Sequence, residues 1–140
     1  EKKGPPPEIN LLNEKNNGET ILKLIEEGLI KSAHDVSLGG IITAVSKMAI
    51  KGKKGFKLNK LKVLINKFDY YFGEDQGRYI IEIEPKNLSK VQKILKDNSV
   101  HCDEIGLVTE KDIILDKEPI IHIDDLVKSN TNWLKEYMDK

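Results

Sequence analysis

Two short loops of this sequence combine carboxylates with hydroxyl, amide and glycine groups. The first loop, Ala33–Gly40, contains Asp35 and Ser37 and ends in two glycines directly before an apolar segment. The N–H groups at the start of a helix attract anions, and glycines let a ligand approach the backbone closely. This chemistry makes Asp35 a candidate Mg²⁺ ligand, and Ser37, Gly39 and Gly40 candidate phosphate-binding residues. The same pattern is equally compatible with a tight turn in which Asp35 and Ser37 only cap the helix.

The second loop, Phe72–Arg78, places acidic, amide and guanidinium groups between glycines. Glu74 is a candidate metal ligand, Gln76 can hydrogen-bond a substrate or nucleotide, and Arg78 can pair with phosphate. Taken alone, the residues favour a simpler interpretation, an exposed acidic turn that Arg78 neutralises. If both loops contribute to one site, Asp35 and Glu74 should face a common cleft at the same end of the sheet.

The apolar periodicity predicts the elements that position these loops. Helices are expected at 9–30, 41–51 and 88–97 and from Asp124 or Asp125 to 138; strands are expected at 30–36, 56–58, 78–84, 105–109, 112–115 and 119–123. Residues 61–71 are compatible with either a strand or a helix. Gly28 is expected to end the first helix, and Asn87 to cap the helix at 88–97. The order predicts an α/β (α+β) fold, a mixed sheet with helices packed on it, partly ferredoxin-like. The proline-rich residues 1–8 are expected to form a linker, and residues 9–140 a single domain.

Composition argues against several classes of function. Lys plus Arg and Asp plus Glu both total 23, so the net charge is zero, unlike the basic excess typical of nucleic-acid binders. The single cysteine, Cys102, precludes an internal disulfide and a cysteine-based zinc site and favours a reduced, cytosolic compartment. No apolar run approaches the ~20 residues that cross a bilayer, so no membrane association is expected. The N-terminus also lacks the apolar segment of a signal peptide.

The remaining polar and aromatic residues favour structural roles. His34 is expected to pack beside the helix start, and His101 and His122 show no metal-binding cluster. Cys102 is expected to be a half-buried small hydrophobe. Trp133 and Tyr137 are four residues apart on the last helix, which favours a place in the core over an interdomain contact.

The two loops together are specific enough to indicate a family. The pattern Ala33-His34-Asp35-Val36-Ser37-x-Gly39-Gly40, followed by Phe72-Gly73-Glu74-Asp75-Gln76-Gly77-Arg78-Tyr79, resembles phosphoribosylformylglycinamidine synthase. The likeness is to the last domain of the synthetase subunit, a module related to the C-terminal domain of aminoimidazole ribonucleotide synthetase, and it covers essentially the whole chain. Leu38 departs from the pattern, because an acidic residue is common at its position.

The resemblance implies an ATP- and Mg²⁺-dependent ligase of purine biosynthesis in the cytoplasm. It implies that upstream domains of the same chain, a glutaminase subunit and a small accessory subunit are partners. By the same resemblance, Asp35 and Ser37 face an auxiliary site for ATP or ADP, and the catalytic histidine belongs to earlier domains. No catalytic residue is therefore expected here, and the isolated domain should be inactive. The alternatives are a nucleotide-binding assembly module without a part in turnover, and a related ATP-dependent maturation enzyme.

Overall fold

A computed structural model describes residues 9–59, 66–116 and 118–139. The chain divides into two compact units, one formed by Glu1–Ala44 and Phe68–Asp103 (unit 1), the other by Val45–Lys67 and Glu104–Lys140 (unit 2). Helices combine with antiparallel and mixed strand pairing, which confirms the predicted fold class. The linker expected at residues 1–8 lies outside the described residues, and the single domain expected at 9–140 stays a prediction. In the described ranges, no helix is long and apolar enough to cross a membrane.

Unit 1 is built on a pair of antiparallel strands between helices. Its elements are α1 (Leu11–Glu26), β1 (Ser32–Asp35), the start of α2 (Gly40–Gly52), most of α3 (Lys67–Phe72), β3 (Tyr79–Glu82), a short 3₁₀ turn (Pro85–Asn87) and α4 (Leu88–Asp97). Ser32 lies opposite Glu82, and Asp35 lies opposite Tyr79. The N–H of Val36 extends this ladder by donating to the carbonyl of Arg78 at 2.8 Å. The pairing therefore brings the loop after β1 beside the loop before β3.

Local signals set the ends of α1. The side chain of Asn10 accepts the N–H of Asn13 at 3.0 Å and caps the first turn. Gly18 does not interrupt the helix, although it weakens the sequence pattern. Gly28 has φ +63° and lies just beyond the helix, as predicted, because a left-handed residue there closes the last turn.

Asn87 does not have the capping role that its position suggested. Helix α4 begins at Leu88 and ends at Asp97 as predicted, but the Asn87 side chain makes no cap hydrogen bond. Its Nδ2 instead donates to the carbonyl of Leu29 at 3.1 Å. Asn87 therefore ties the start of α4 to the chain that follows α1.

The core of unit 1 lies between α1 and α4. Its most buried side chains are Leu24 and Val91, both 0% exposed, and Leu95 at 3%. Ile21 and Leu29 complete the cluster. The buried residues of α1 recur every three or four positions, so one face of the helix is removed from water.

Unit 2 contains a four-stranded mixed sheet. Its strands are β2 (Gly55–Leu58), β4 (Gly106–Thr109), β5 (Asp112–Ile114) and β6 (Ile121–His122), in the spatial order β4-β2-β5-β6. β2 is antiparallel to β4 and parallel to β5, and β5 is antiparallel to β6. Both strands predicted around Glu110 and Lys111 are present, but they flank β2 instead of pairing with each other. Gly55 permits this close arrangement, because a Cβ there would overlap the Asp112 carbonyl.

The structure corrects three sequence predictions that concern residues outside the site. The last helix, α5 (Ile123–Met138), begins one residue before the predicted start and is capped by His122. Trp133 is 60% exposed and Tyr137 70% exposed, so their predicted place in the core was wrong. Cys102 is exposed rather than half-buried. Of the ambiguous stretch 61–71, residues 61–65 lie outside the described residues, and residues 67–71 belong to α3.

Leu24→Ala should destabilise the protein by about 2–5 kcal/mol, because it leaves a cavity between α1 and α4. Leu22→Ala is the matched control, since Leu22 belongs to the same helix and is 60% exposed. Urea denaturation followed by far-ultraviolet circular dichroism measures both changes. Equal losses for the two variants would contradict the packing described for α1.

Glu84 should make stability depend on pH in the acid range. Its carboxylate lies 2.6 Å from Lys86 Nζ and 2.9 Å from Lys31 Nζ. The two lysines lower the pKa of Glu84 from 4.5 to about 2. A carboxyl with a depressed pKa in the folded state stabilises the fold above its ordinary pKa, and this contribution is lost as the pH falls toward 2.

The melting temperature of Glu84→Gln should therefore fall less between pH 4.5 and pH 2 than that of the unsubstituted protein. Glu19→Gln is the control, because Glu19 forms an exposed pair with Lys15 at 3.7 Å. Parallel acid profiles for Glu84→Gln and the unsubstituted protein would show that the two ion pairs contribute nothing.

Candidate functional site

The two loops singled out in the sequence meet at one cleft of unit 1, with a volume of about 390 Å³. Asp35 and Ser37 line it from the loop after β1, and Glu74, Gln76 and Arg78 line it from the loop before β3. The expectation that Asp35 and Glu74 face a common cleft is therefore met. The functions predicted for these residues stay predictions.

Gly39 and Gly40 shape the loop between β1 and α2. Their φ angles are +83° and +67°, a left-handed conformation that side chains with a Cβ rarely adopt. A Cβ on Gly40 would lie 2.6 Å from the carbonyl oxygen of Tyr71 and 2.8 Å from that of Gly73. The N–H of Gly40 donates to the Ser37 carbonyl at 2.9 Å. Gly40 thus lets the two loops pack backbone to backbone, and its predicted contact with phosphate requires this turn to open.

Glu74 connects the second loop directly to the first. Its Oε1 accepts the N–H of Gly39 at 2.8 Å. This N–H lies one residue before α2, where the helix dipole favours negative charge. The Glu74 carboxylate therefore occupies the position that was predicted for a phosphate oxygen.

Arg78 makes its contacts within its own loop. Its Nη2 donates to the Gly73 carbonyl at 2.6 Å and lies 3.2 Å from Asp75 Oδ2, while its Nε donates to the Asp75 carbonyl at 3.4 Å. The guanidinium therefore braces the segment that presents Glu74. This geometry agrees with the simpler interpretation of Arg78 as the cation that neutralises an acidic turn.

Helix α1 contributes residues that the sequence analysis missed. Asn17 Nδ2 donates to the Gly77 carbonyl at 2.8 Å. Glu14 lines the cleft, and a Cβ on Gly77 would lie 2.6 Å from Glu14 Oε1. Residues three apart share one face of a helix, so Glu14 and Asn17 reach the same loop. That spacing was visible in the sequence, but nothing local indicated which loop the face would meet.

Asp35 and Glu74 place two carboxylates in the cleft, and carboxylate oxygens are ligands that Mg²⁺ takes from proteins. Within residues 9–59, 66–116 and 118–139, no group of three or more acidic, histidine or cysteine residues is placed to hold a metal ion. Mg²⁺ usually retains several waters and binds one or two carboxylates together with phosphate oxygens. Asp35 and Glu74 can supply those carboxylates. The ring of His34 lies beside Asp35. His34 Nδ1 is 2.6 Å from the Asp35 carbonyl oxygen and 3.3 Å from Asp35 Oδ1.

The fold and the cleft define an α+β domain that presents acidic and glycine-rich loops at one end of a strand pair. Residues 1–116 match the family described as AIR synthase related protein, C-terminal domain, and the chain belongs to this family. The resemblance drawn from the two loops is thereby confirmed.

Similar proteins share one name. The chain is 68% identical over 139 residues to the "Phosphoribosylformylglycinamidine synthase subunit PurL" of Pelagibacter ubique (strain HTCC1062), covering 99% of this chain and 19% of the relative. It is 42% identical over 114 residues to the protein of that name from Caldanaerobacter subterraneus subsp. tengcongensis, covering 81% of this chain and 15% of the relative. The chain thus spans about a fifth or less of the length of these relatives.

Solved structures share the fold. "Structure of PurLQS from Thermotoga maritima" has a TM-score of 0.73 at 21% identity and covers 86% of this chain and 22% of that chain. "T. maritima PurL complexed with ATP" has a TM-score of 0.68 at 22% identity and covers 81% of this chain and 21% of that chain. At this level of identity, the likeness establishes the fold.

Arg78→Ala should loosen the second loop and release the Gly39 N–H. Losing a charged donor to the Gly73 carbonyl should cost about 1–3 kcal/mol, and the Gly39 amide should exchange with solvent faster. Site-resolved hydrogen exchange measures the release. Gln76→Ala is the control, because Gln76 is an exposed residue of the same loop. Unchanged exchange at Gly39 in Arg78→Ala would show that Glu74 holds its position without the brace.

Proposed function

We propose that this chain is the C-terminal domain of the synthetase chain of a phosphoribosylformylglycinamidine synthase. The observation that carries this proposal is the 68% identity, over 99% of the chain, with a relative of that name. The enzyme is an ATP-dependent carbon–nitrogen ligase that converts formylglycinamide ribonucleotide to the amidine with glutamine-derived ammonia. We infer a cytoplasmic location, with a glutaminase subunit and a small accessory subunit as partners.

We infer that this segment supports the reaction without contacting the reacting atoms. ATP activates the formamide oxygen by phosphorylation, and ammonia then displaces phosphate, so catalysis depends on positioning and on neutralising phosphate charge. The segment corresponds to 19% of the length of its Pelagibacter relative, and none of its residues is assigned to the reacting atoms. Its cleft is proposed to hold an auxiliary nucleotide, ATP or ADP, together with Mg²⁺. Thermotoga maritima PurL has been solved in complexes with ATP and with ADP, which supports this choice.

Each residue of the cleft has a role in this proposal. Asp35 and Glu74 bind Mg²⁺, which neutralises phosphate charge when bound. Ser37 and the N–H of Gly39 donate to phosphate oxygens. Gln76 contacts the nucleotide. Glu74 must leave the Gly39 N–H before a phosphate oxygen can take its place, so binding includes a local rearrangement.

A second candidate is an assembly module that binds nucleotide, or none, without a part in turnover. The observation in its favour is that Glu74 already occupies the anion position before α2 at 2.8 Å from the Gly39 nitrogen. A maturation enzyme with the same module is less well supported, because the similar proteins described above carry the synthase name.

Asp35→Asn, made in the full-length polypeptide that contains these residues, tests the proposal. The substitution keeps the size of the side chain but removes the charge that a metal ligand needs. At ATP–Mg²⁺ concentrations about 100-fold above the dissociation constant, a ligand stabilises the folded state by about 2.7 kcal/mol. The variant should lose at least about half of that nucleotide-dependent gain, while the turnover number falls comparatively little.

Melting temperatures with and without ATP–Mg²⁺ and steady-state kinetics give the two readouts. Asp75→Asn is the matched control, because it makes the same change in the second loop, where Asp75 pairs with Arg78 at 3.2 Å. An intact nucleotide shift with a collapsed turnover number would place Asp35 in the reacting site. No change in either readout would contradict the proposed role of Asp35 in binding metal and nucleotide.

A further inference from the structure

One face of helix α1 extends from the core of unit 1 to the second loop of the cleft. Its residues recur at spacings of three, four and three: Glu14, Asn17, Ile21 and Leu24. Ile21 and Leu24 belong to the buried cluster that also contains Val91 of α4. Glu14 and Asn17 lie closer to the start of the helix and reach the loop instead. The packing of the core therefore fixes where these two side chains stand.

Asn17 holds the backbone of the second loop at Gly77. Its Nδ2 donates to the Gly77 carbonyl at 2.8 Å, and this hydrogen bond is partly buried. Glu14 lies against the same glycine, since a Cβ on Gly77 would come within 2.6 Å of Glu14 Oε1. Gly77 directly follows Gln76, an exposed residue that lines the cleft. The contact with α1 therefore restricts the backbone that carries Gln76.

The residue at position 17 is a poor choice for the helix itself. Asn16, Asn17 and Gly18 lie in the middle of α1, and each favours a helix less than alanine does. The first turn is capped separately by Asn10. A residue that goes against local propensity and contacts a candidate site is typical of positions where function sets the residue. The benefit of Asn17 thus lies in the loop that it holds.

We propose that Asn17 is a positioning residue of the cleft, which orients Gln76 toward the nucleotide by holding the Gly77 carbonyl. The inference rests on the proposed function for the identity of the ligand, a nucleotide with Mg²⁺. Arg78 ties the other end of the loop, because its Nη2 donates to the Gly73 carbonyl at 2.6 Å. Gln76 lies between the two tied carbonyls in the sequence. Loss of the Asn17 contact would leave Gln76 to be ordered when the ligand binds, which lowers affinity.

Two alanine variants of α1 isolate the contact. Asn17→Ala removes the donor to the loop, and α1 should stay folded because alanine favours a helix more than asparagine does. Asn13→Ala is the matched control, since it makes the same change one turn earlier at an exposed residue. Both substitutions are made in the full-length polypeptide that contains these residues.

Hydrogen exchange without ligand tests whether Asn17 positions the second loop. The Gly39 amide reports on this loop, because it donates to Glu74 at 2.8 Å. We expect the Gly39 amide to exchange severalfold faster in Asn17→Ala than in Asn13→Ala, while the amide of Leu24 in the core half of α1 is unchanged. Equal rates at Gly39 in the two variants would overturn the inference.

A double-mutant cycle with Gln76→Ala tests whether Asn17 acts through Gln76. Asn17→Ala should raise the dissociation constant for ATP–Mg²⁺ severalfold when Gln76 is present. Once Gln76 is alanine, the same substitution should change it little, because effects of residues that act through one another are not additive. A purely structural role would weaken binding equally in both backgrounds, and that result would contradict the inference, as would unchanged binding in Asn17→Ala.

The two measurements separate this inference from the proposed function. If the unsubstituted protein does not bind ATP–Mg²⁺, the nucleotide assignment fails for the cleft and for Gln76 together. Faster exchange of the Gly39 amide in Asn17→Ala would still support Asn17 as the residue that positions the second loop. Nucleotide binding that is intact in both variants, with equal exchange rates, would keep the proposed function and reject the role of Asn17.

Discussion

Antiparallel pairing of β1 with β3 decides which residues of unit 1 can act together. The paired residues Asp35 and Tyr79 are 44 positions apart in sequence (79 − 35). The N–H of Val36 and the carbonyl of Arg78 extend the ladder by one step, so the loop after β1 and the loop before β3 lie side by side. A shift of β1 by one residue relative to β3 would move the side chain of Asp35 to the other face of the strand pair. The register thus fixes the composition of the cleft.

Two glycines allow direct contacts around the second loop. Gly40 approaches the carbonyl of Gly73 so closely that a side chain would not fit, and Gly77 leaves room for the carboxylate of Glu14. The backbone of the second loop is held further by Arg78 and Asn17, which donate to the carbonyls of Gly73 and Gly77. Glu74 is consequently presented to the first loop on a segment tied at both ends.

The sequence predicted the positions of the helices and loops better than the contacts that these helices and loops make with one another. Helix α4 was placed residue for residue, because a regular apolar stripe and a preceding proline mark its limits. Both site loops were found from their residue types alone. The pairing of Glu74 with the Gly39 N–H was not predictable, since nothing in either loop encodes the register that joins them. Asn87 was misassigned for the same reason, because its tertiary acceptor at Leu29 wins over the local cap.

For Trp133 and Tyr137 the sequence analysis expected a packing contact that the structure does not show. Their spacing on α5 correctly indicates an apolar face, but periodicity reports only that a helix has such a face and not what covers it. Ile123 at the start of the helix is fully buried, whereas Tyr137 is 70% exposed. The pattern was right about the helix and its apolar face, and wrong about the burial of Trp133 and Tyr137.

Glu74 links the structural and the chemical interpretation of the cleft. As a helix cap, its carboxylate is stabilised by the Gly39 N–H and the dipole of α2. As a metal ligand it would exchange that hydrogen bond for a stronger attraction to a divalent cation, because charge–charge energy exceeds charge–dipole energy at similar distance. A phosphate oxygen could then take the vacated N–H. In the proposed site, cation and anion would thus cooperate, because a cation that drew Glu74 from the Gly39 N–H would leave this N–H to a phosphate oxygen.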